Sequence, residues 1–119
     1  NDGLDLMESN VVGENLIFNL NMDKSISVGE ASKININGLK ISNADTGIAS
    51  KDDSEVVLGN ISMIKSTIGL DSYRKNSRYN YSGVFESNNH IFKENKLDLR
   101  FTDPAKIKFD FSKINYQEK

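Results

Sequence analysis

Apolar and polar residues alternate along this chain in short runs. Ile26-Ser27-Val28, Ile34-Asn35-Ile36 and Leu39-Lys40-Ile41 are followed at a constant distance by Val56-Val57-Leu58 and Ile61-Ser62-Met63. A period of two, rich in isoleucine and valine and broken by Gly, Asn, Ser and Asp, predicts strands, and no segment of useful length carries a helical period. Laying the sequence over itself at an offset of 22 residues aligns Leu4, Ile26, Ile48 and Leu70, then Val12, Ile34 and Val56, then Ile17, Leu39 and Ile61. Polar positions follow the same offset: Asn10, Ser32, Ser54 and Asn76 form one column, and Glu8, Glu30, Asp52 and Arg74 another. The first unit is irregular, since strict offset puts Glu14 and Asn19 where Ile36 and Ile41 stand; a one-residue deletion after Gly13 brings Leu16 and Phe18 opposite Leu39 and Ile41 instead.

Three short strands and their turns in about 22 residues is the length of one coil of a parallel β-helix, with equivalent positions stacked roughly 4.8 Å apart. A leucine-rich repeat has a similar period but wants an L-x-x-L-x-L-x-x-N frame, which the Ile and Val pairs here do not provide. The repeat fails after Tyr73, so residues 1–76 are expected to form the coils and 77–119 a C-terminal loop and cap. The cap is predicted as a β-hairpin of Leu97–Phe101 and Ile107–Phe111 around the turn at Thr102-Asp103-Pro104-Ala105. Asn1 falls inside a turn with nothing to cover the first coil, and an uncovered coil exposes unpaired strand edges. The expectation is a fragment of a longer protein, its partner being upstream coils or an upstream domain of the same polypeptide.

The repeat accounts for a composition that otherwise looks close to disordered. Of 119 residues only 37% are hydrophobic, and 15 are asparagine and 14 serine; mean hydropathy is −0.50. A net charge of −2 and 12 isoleucines argue for a folded chain. Turns consume Asn, Asp, Ser and Gly, and stacked Asn or Ser side chains continue the hydrogen-bond ladder. Without cysteine there is neither disulfide nor thiol chemistry. Without a basic excess a nucleic-acid partner is not expected, and no apolar run approaches the ~20 residues of a membrane span.

Candidate chemistry is sparse. Glu8, Glu30 and Asp52 stack their carboxylates on one edge, an oxygen set that suits Ca²⁺, although acids in such turn contexts are common for structural reasons. Asp5 and Asp71 share an outward column but lie three strand spacings apart, roughly 14 Å, beyond the ~5–9.5 Å of paired glycosidase carboxylates. His90 has no identifiable triad partner, so no residue is assigned a catalytic role. Tyr73, Arg74, Lys75, Arg78, Tyr79 and Tyr81 form the densest basic-aromatic cluster, a combination that suits sugars by stacking and anionic polymers by charge, or serves to seal the last coil.

The runs Asp2-Gly3-Leu4-Asp5-Leu6, Lys24-Ser25-Ile26-Ser27-Val28-Gly29-Glu30, Thr46-Gly47-Ile48-Ala49-Ser50-Lys51-Asp52 and Ser72-Tyr73-Arg74-Lys75 resemble right-handed parallel β-helix repeats of bacterial proteins. They are most similar to the C-terminal β-helix region of CotH-like proteins, relatives of the spore-coat kinases. The resemblance implies a right-handed β-helix in the cell envelope or outside the cell. No kinase residue can be carried over. The expected function is a non-catalytic module of a larger protein, acting as scaffold or carbohydrate-recognition surface. The alternative is the C-terminal part of a polysaccharide lyase or glycoside hydrolase, which predicts a groove gathering several of Asp5, Asp71, Asp52, Asp53 and Arg74.

Overall fold

The computed structural model describes residues 2–19 and 23–119; the turn expected around Asn1 lies outside them. Strands β1 (Leu4–Met7), β3 (Lys24–Gly29), β5 (Thr46–Lys51), β7 (Ile68–Tyr73), β10 (Leu97–Phe101) and β12 (Tyr116–Glu118) form the first sheet in that spatial order. The second sheet runs β2 (Asn10–Phe18), β4 (Lys33–Ser42), β6 (Glu55–Ile64), β8 (Val84–Ser87) and β11 (Ile107–Lys108), with β9 (His90–Lys93) also paired to β6. All pairings are parallel.

This corrects the expected fold. The protein is all-β, but it is built as two parallel six-stranded sheets of short strands, not as a single right-handed β-helix with a hairpin cap. Two of the strands expected in each repeat are one: Ile34–Ile36 and Leu39–Ile41 both belong to β4, which bends at Gly38 (φ 86°) while Asn37 and Leu39 on either side keep their ladder partners. A repeat therefore supplies one strand to each sheet. Nor do the two C-terminal runs pair with each other. β10 adds to β7 and β11 to β8, because each finds an open parallel edge with the matching apolar alternation.

The 22-residue columns are nonetheless the register of the sheets: Leu4 faces Ile26, Ile26 faces Ile48, and Ile48 faces Leu70. The slip in the first repeat lies earlier than its hydrophobic pattern suggests. Met7 still faces Gly29, but Asn10 already faces Lys33, so the missing residue is in the turn at Glu8-Ser9. The second and third repeats spend two left-handed residues on that turn, Glu30-Ala31 and Asp52-Asp53, whereas the first spends only Glu8. Val11 rather than Val12 consequently stacks on Ile34, and Val12 is 75% exposed.

Both sheets contribute to one core. Ile26, Ile48, Leu70 and Leu99 form a fully buried row in the first sheet; Ile34, Val56 and Phe85 form another in the second. Rows of amides reinforce the bends: Asn60 Nδ2 donates to Asn37 Oδ1 at 2.8 Å, and Asn89 Nδ2 to Asn60 Oδ1 at 2.7 Å. Near the start of β7, Gly69 packs so closely on its neighbour that an added Cβ would sit 2.6 Å from the Asp98 carbonyl oxygen. Gly69→Ala is therefore expected to destabilise the protein by about 1–3 kcal/mol in urea unfolding. At Gly59 a Cβ would meet only the side-chain amides of Asn88, at 3.3 Å, and Asn37, at 3.5 Å, and Gly59→Ala is expected to shift stability by less than about 1 kcal/mol.

Candidate functional site

The acidic column forms as expected at the backbone level. Glu8, Glu30 and Asp52 all occupy the left-handed region, with φ of 48°, 53° and 55°, and the turns stack through Glu8 N–H to the Glu30 carbonyl and Ala31 N–H to the Asp52 carbonyl. Their side chains have separate fates. Glu8 is exposed, Glu30 half-buried and Asp52 buried. Asp52 Oδ1 accepts the backbone N–H groups of Lys75 and Asn76, at 2.7 and 2.9 Å. Among the described residues no three acidic or histidine side chains converge as a metal-holding group.

The next residue completes a clamp. Asp53 Oδ1 accepts the Tyr81 N–H at 2.8 Å, while Asp53 N–H donates to the Tyr81 carbonyl at 3.0 Å. The Asp52-Asp53 turn thus holds residues 75–81 at both ends through their backbone, and Ser72 Oγ bonds the Gly83 carbonyl just beyond. The basic-aromatic cluster lies on this clamped loop. Arg74, Lys75 and Arg78 are exposed and form no ion pair among the described residues; Arg74 Nη1 reaches only the Tyr79 carbonyl, at 3.5 Å. The tyrosines point to different surroundings. Tyr73 is half-buried and its hydroxyl is pushed above the ordinary value by that burial, whereas Tyr81 lies under Lys106, whose Nζ is 4.2 Å from the ring centre. Tyr79 feels the negative charges of Glu30 and Glu8, which, after desolvation, raise its pKa.

Beside the loop, a cleft of about 650 Å³ opens against the β1 end of the first sheet, lined by Asp5, Lys24, Glu30, Lys51, Asp52 and Lys75 among others. It joins part of both candidate sets. Lys24 and Lys51 were not anticipated; the signal was the column Met7, Gly29, Lys51, Tyr73, which places Lys51 directly before the acidic turn. Burial, followed by the charges of Lys75 and Lys24, pushes the Lys51 ammonium below its ordinary value. Lys24 is paired with Asp23 at 3.2 Å.

The residues named for an enzyme's groove are divided between surroundings. Asp5 and Asp52 line the cleft, but Asp71, Asp53 and Arg74 do not. Asp71 is buried in a two-point pair with Arg100, Nε to Oδ1 at 3.0 Å and Nη2 to Oδ2, which holds the guanidinium above its ordinary value. His90 acquires a partner that its sequence neighbourhood does not reveal. Its Nδ1 is 2.9 Å from Ser87 Oγ, and its ring packs 5.0 Å from both Phe92 and Phe109. On the outer face of the second sheet, a shallower groove of about 420 Å³ carries Ile17, Lys40, Ser62 and Ile91.

No known protein family, curated protein or solved structure matches this chain.

Removing the Asp52 carboxylate leaves two amide donors without their acceptor. Asp52→Ala is expected to destabilise by about 1–3 kcal/mol and to speed amide exchange at Lys75 and Asn76, whereas Glu30→Ala stays within about 0.5 kcal/mol. The imidazole of His90 gives a pH dependence. Burial lowers its pKa from the ordinary 6.5, partly opposed by the charge of Asp98. The native state therefore binds this proton less readily than the unfolded chain, so its contribution to stability is complete above pH 6.5 and declines as pH falls through the lower native value. Thermal melts between neutral pH and pH 5.5 are expected to show this decline, and His90→Gln to remove it.

Proposed function

We propose that this chain is a non-catalytic all-β module that recognises an anionic saccharide through the loop at residues 74–81, as part of a larger bacterial envelope or extracellular protein of the CotH-like kind. One observation carries the reading: Arg74, Lys75 and Arg78 are exposed, lack a carboxylate partner among the described residues, and stand on a loop whose backbone is held by Asp52 and Asp53. A held loop loses little entropy when it binds, and guanidinium groups match carboxylate or sulfate geometry. Supporting it from the other side, the acids that an enzyme would need already have structural tasks. Asp71 is bound to Arg100, and Asp52 and Asp53 each accept backbone amides.

The test is a glycan array with uronate-containing and sulfated polymers, run beside a lyase and hydrolase assay on the same polymers. Binding is expected without turnover. Arg74→Ser, Lys75→Ser and Arg78→Ser combined should weaken it by about tenfold or more and leave the melting temperature unchanged. Turnover, or a triple variant that loses stability while its glycan profile stays intact, overturns the reading.

A further inference from the structure

The cleft beside the loop holds a positive charge that no described carboxylate answers. Lys51 closes β5 and Gly29 closes β3, and both strands are paired on each side, so this part of the cleft belongs to the face of the first sheet and not to its edge. With no side chain at Gly29, the aliphatic stem of Lys51 lies across it: an added Cβ would be 2.9 Å from Lys51 Cε and 3.2 Å from its Cγ. The glycine thus lets the lysine reach over the neighbouring strand into the cleft. Lys51 is half-buried and forms no ion pair among the described residues.

The other charges of the cleft are arranged around it. Lys75 stands on the wall that Asp52 holds through the Lys75 and Asn76 N–H groups, and Lys24 is already held by Asp23. Behind burial, Lys75 and Lys24 act on the Lys51 ammonium more strongly than Asp5 and Asp2 do. An ammonium so placed gains a close partner only from outside the chain. Yet the lining is not simply basic, because exposed Asp5 and half-buried Glu30 share it, and neither forms an ion pair among the described residues.

This mixture restricts the ligand. The cleft's volume, about 650 Å³, falls within the roughly 300–1,000 Å³ of small-ligand sites. A densely charged polyanion satisfies the lysines and is repelled by the acids. A ring with one carboxylate and several hydroxyls satisfies both, since its carboxylate accepts from an ammonium and its hydroxyls donate to carboxylates. Resting on the reading of residues 74–81 as a saccharide-binding loop, we infer that the cleft is a sugar-acid subsite of the same surface. It takes one hexuronate unit with its carboxylate on Lys51 and its hydroxyls on Asp5 and Glu30, and it selects uronate polymers over sulfated ones. Lys75, which belongs to the loop and lines the cleft, joins the two.

The probes are a galacturonate tetramer, its methyl ester and a sulfated maltotetraose, each titrated calorimetrically into the full chain. The uronate is expected to bind about tenfold or more tighter than either of the others. Lys51→Met keeps the stem over Gly29 and removes the charge; it should lower uronate affinity to that of the ester, leave the ester's affinity and the melting temperature unchanged, and be largely rescued by Lys51→Arg. Asp5→Asn combined with Glu30→Gln should narrow the preference for uronate over the sulfated oligomer. Equal binding of acid and ester, tighter binding of the sulfated oligomer, or parental uronate binding by Lys51→Met overturns this inference. The loop reading survives those results if the Arg74, Lys75 and Arg78 triple variant still loses the saccharide. Absence of binding to all three probes overturns both.

Discussion

Parallel pairing in register obliges every position to be compatible with its own counterpart one repeat away. Apolar residues satisfy this by stacking, as in the row Ile26, Ile48, Leu70, Leu99. Asparagine satisfies it because its amide both donates and accepts, so Asn37, Asn60 and Asn89 bond in sequence. Serine does the same at the turns: Ser32 Oγ accepts the Ser9 N–H, and Ser66 Oγ accepts that of Ala44. A charge cannot satisfy it with its like. The abundance of Asn and Ser and the scarcity of charge in the rows of the sheets follow from that single constraint.

Much of this is legible in the sequence because the constraint acts at a fixed spacing. The column Leu4, Ile26, Ile48, Leu70 is the register itself, and the turn acids Glu8, Glu30 and Asp52 do share one backbone conformation. The pattern is silent about bends. Polar Asn37 and Gly38 look like a break between two strands, but a glycine at φ 86° can turn the chain while its neighbours keep their ladder partners, Asn37 to Gly59 and Leu39 to Ile61. The pattern is equally silent about the partners of the C-terminal runs. Alternation specifies a strand but not its neighbour, and open parallel edges at β7 and β8 offered β10 and β11 better partners than each other.

The candidate site was legible as composition and illegible as geometry. The cluster from Tyr73 to Tyr81 was visible, yet what fixes it is the pair Asp52-Asp53, more than twenty residues earlier, acting on backbone amides that no motif marks. The structure gives Asp52 a task that the sequence does not show, as the anchor of the loop. The lone His90 is visible in the sequence, but its pairing with Ser87 is not, because only the turn at Asn88-Asn89 brings the two to 2.9 Å. Lys24, which opens β3, and Lys51, which closes β5, line the same cleft.

The same constraint explains why the two ends are treated differently. A parallel stack cannot close on itself, so each end leaves apolar rows and unpaired backbone facing outward, a standing invitation to association. At the far end the chain departs from its repeat, and Phe109, Phe111, Ile114 and Tyr116 close over Phe101. That departure requires residues that stack on nothing like themselves, which is why the repeat must fail there. At the β1–β2 edge the repeat itself carries the charge: Asp5, Glu8 and Glu14 are exposed beside half-buried Leu4, Val11 and Leu16, so like acids are kept out of the rows and in the turns and outer faces.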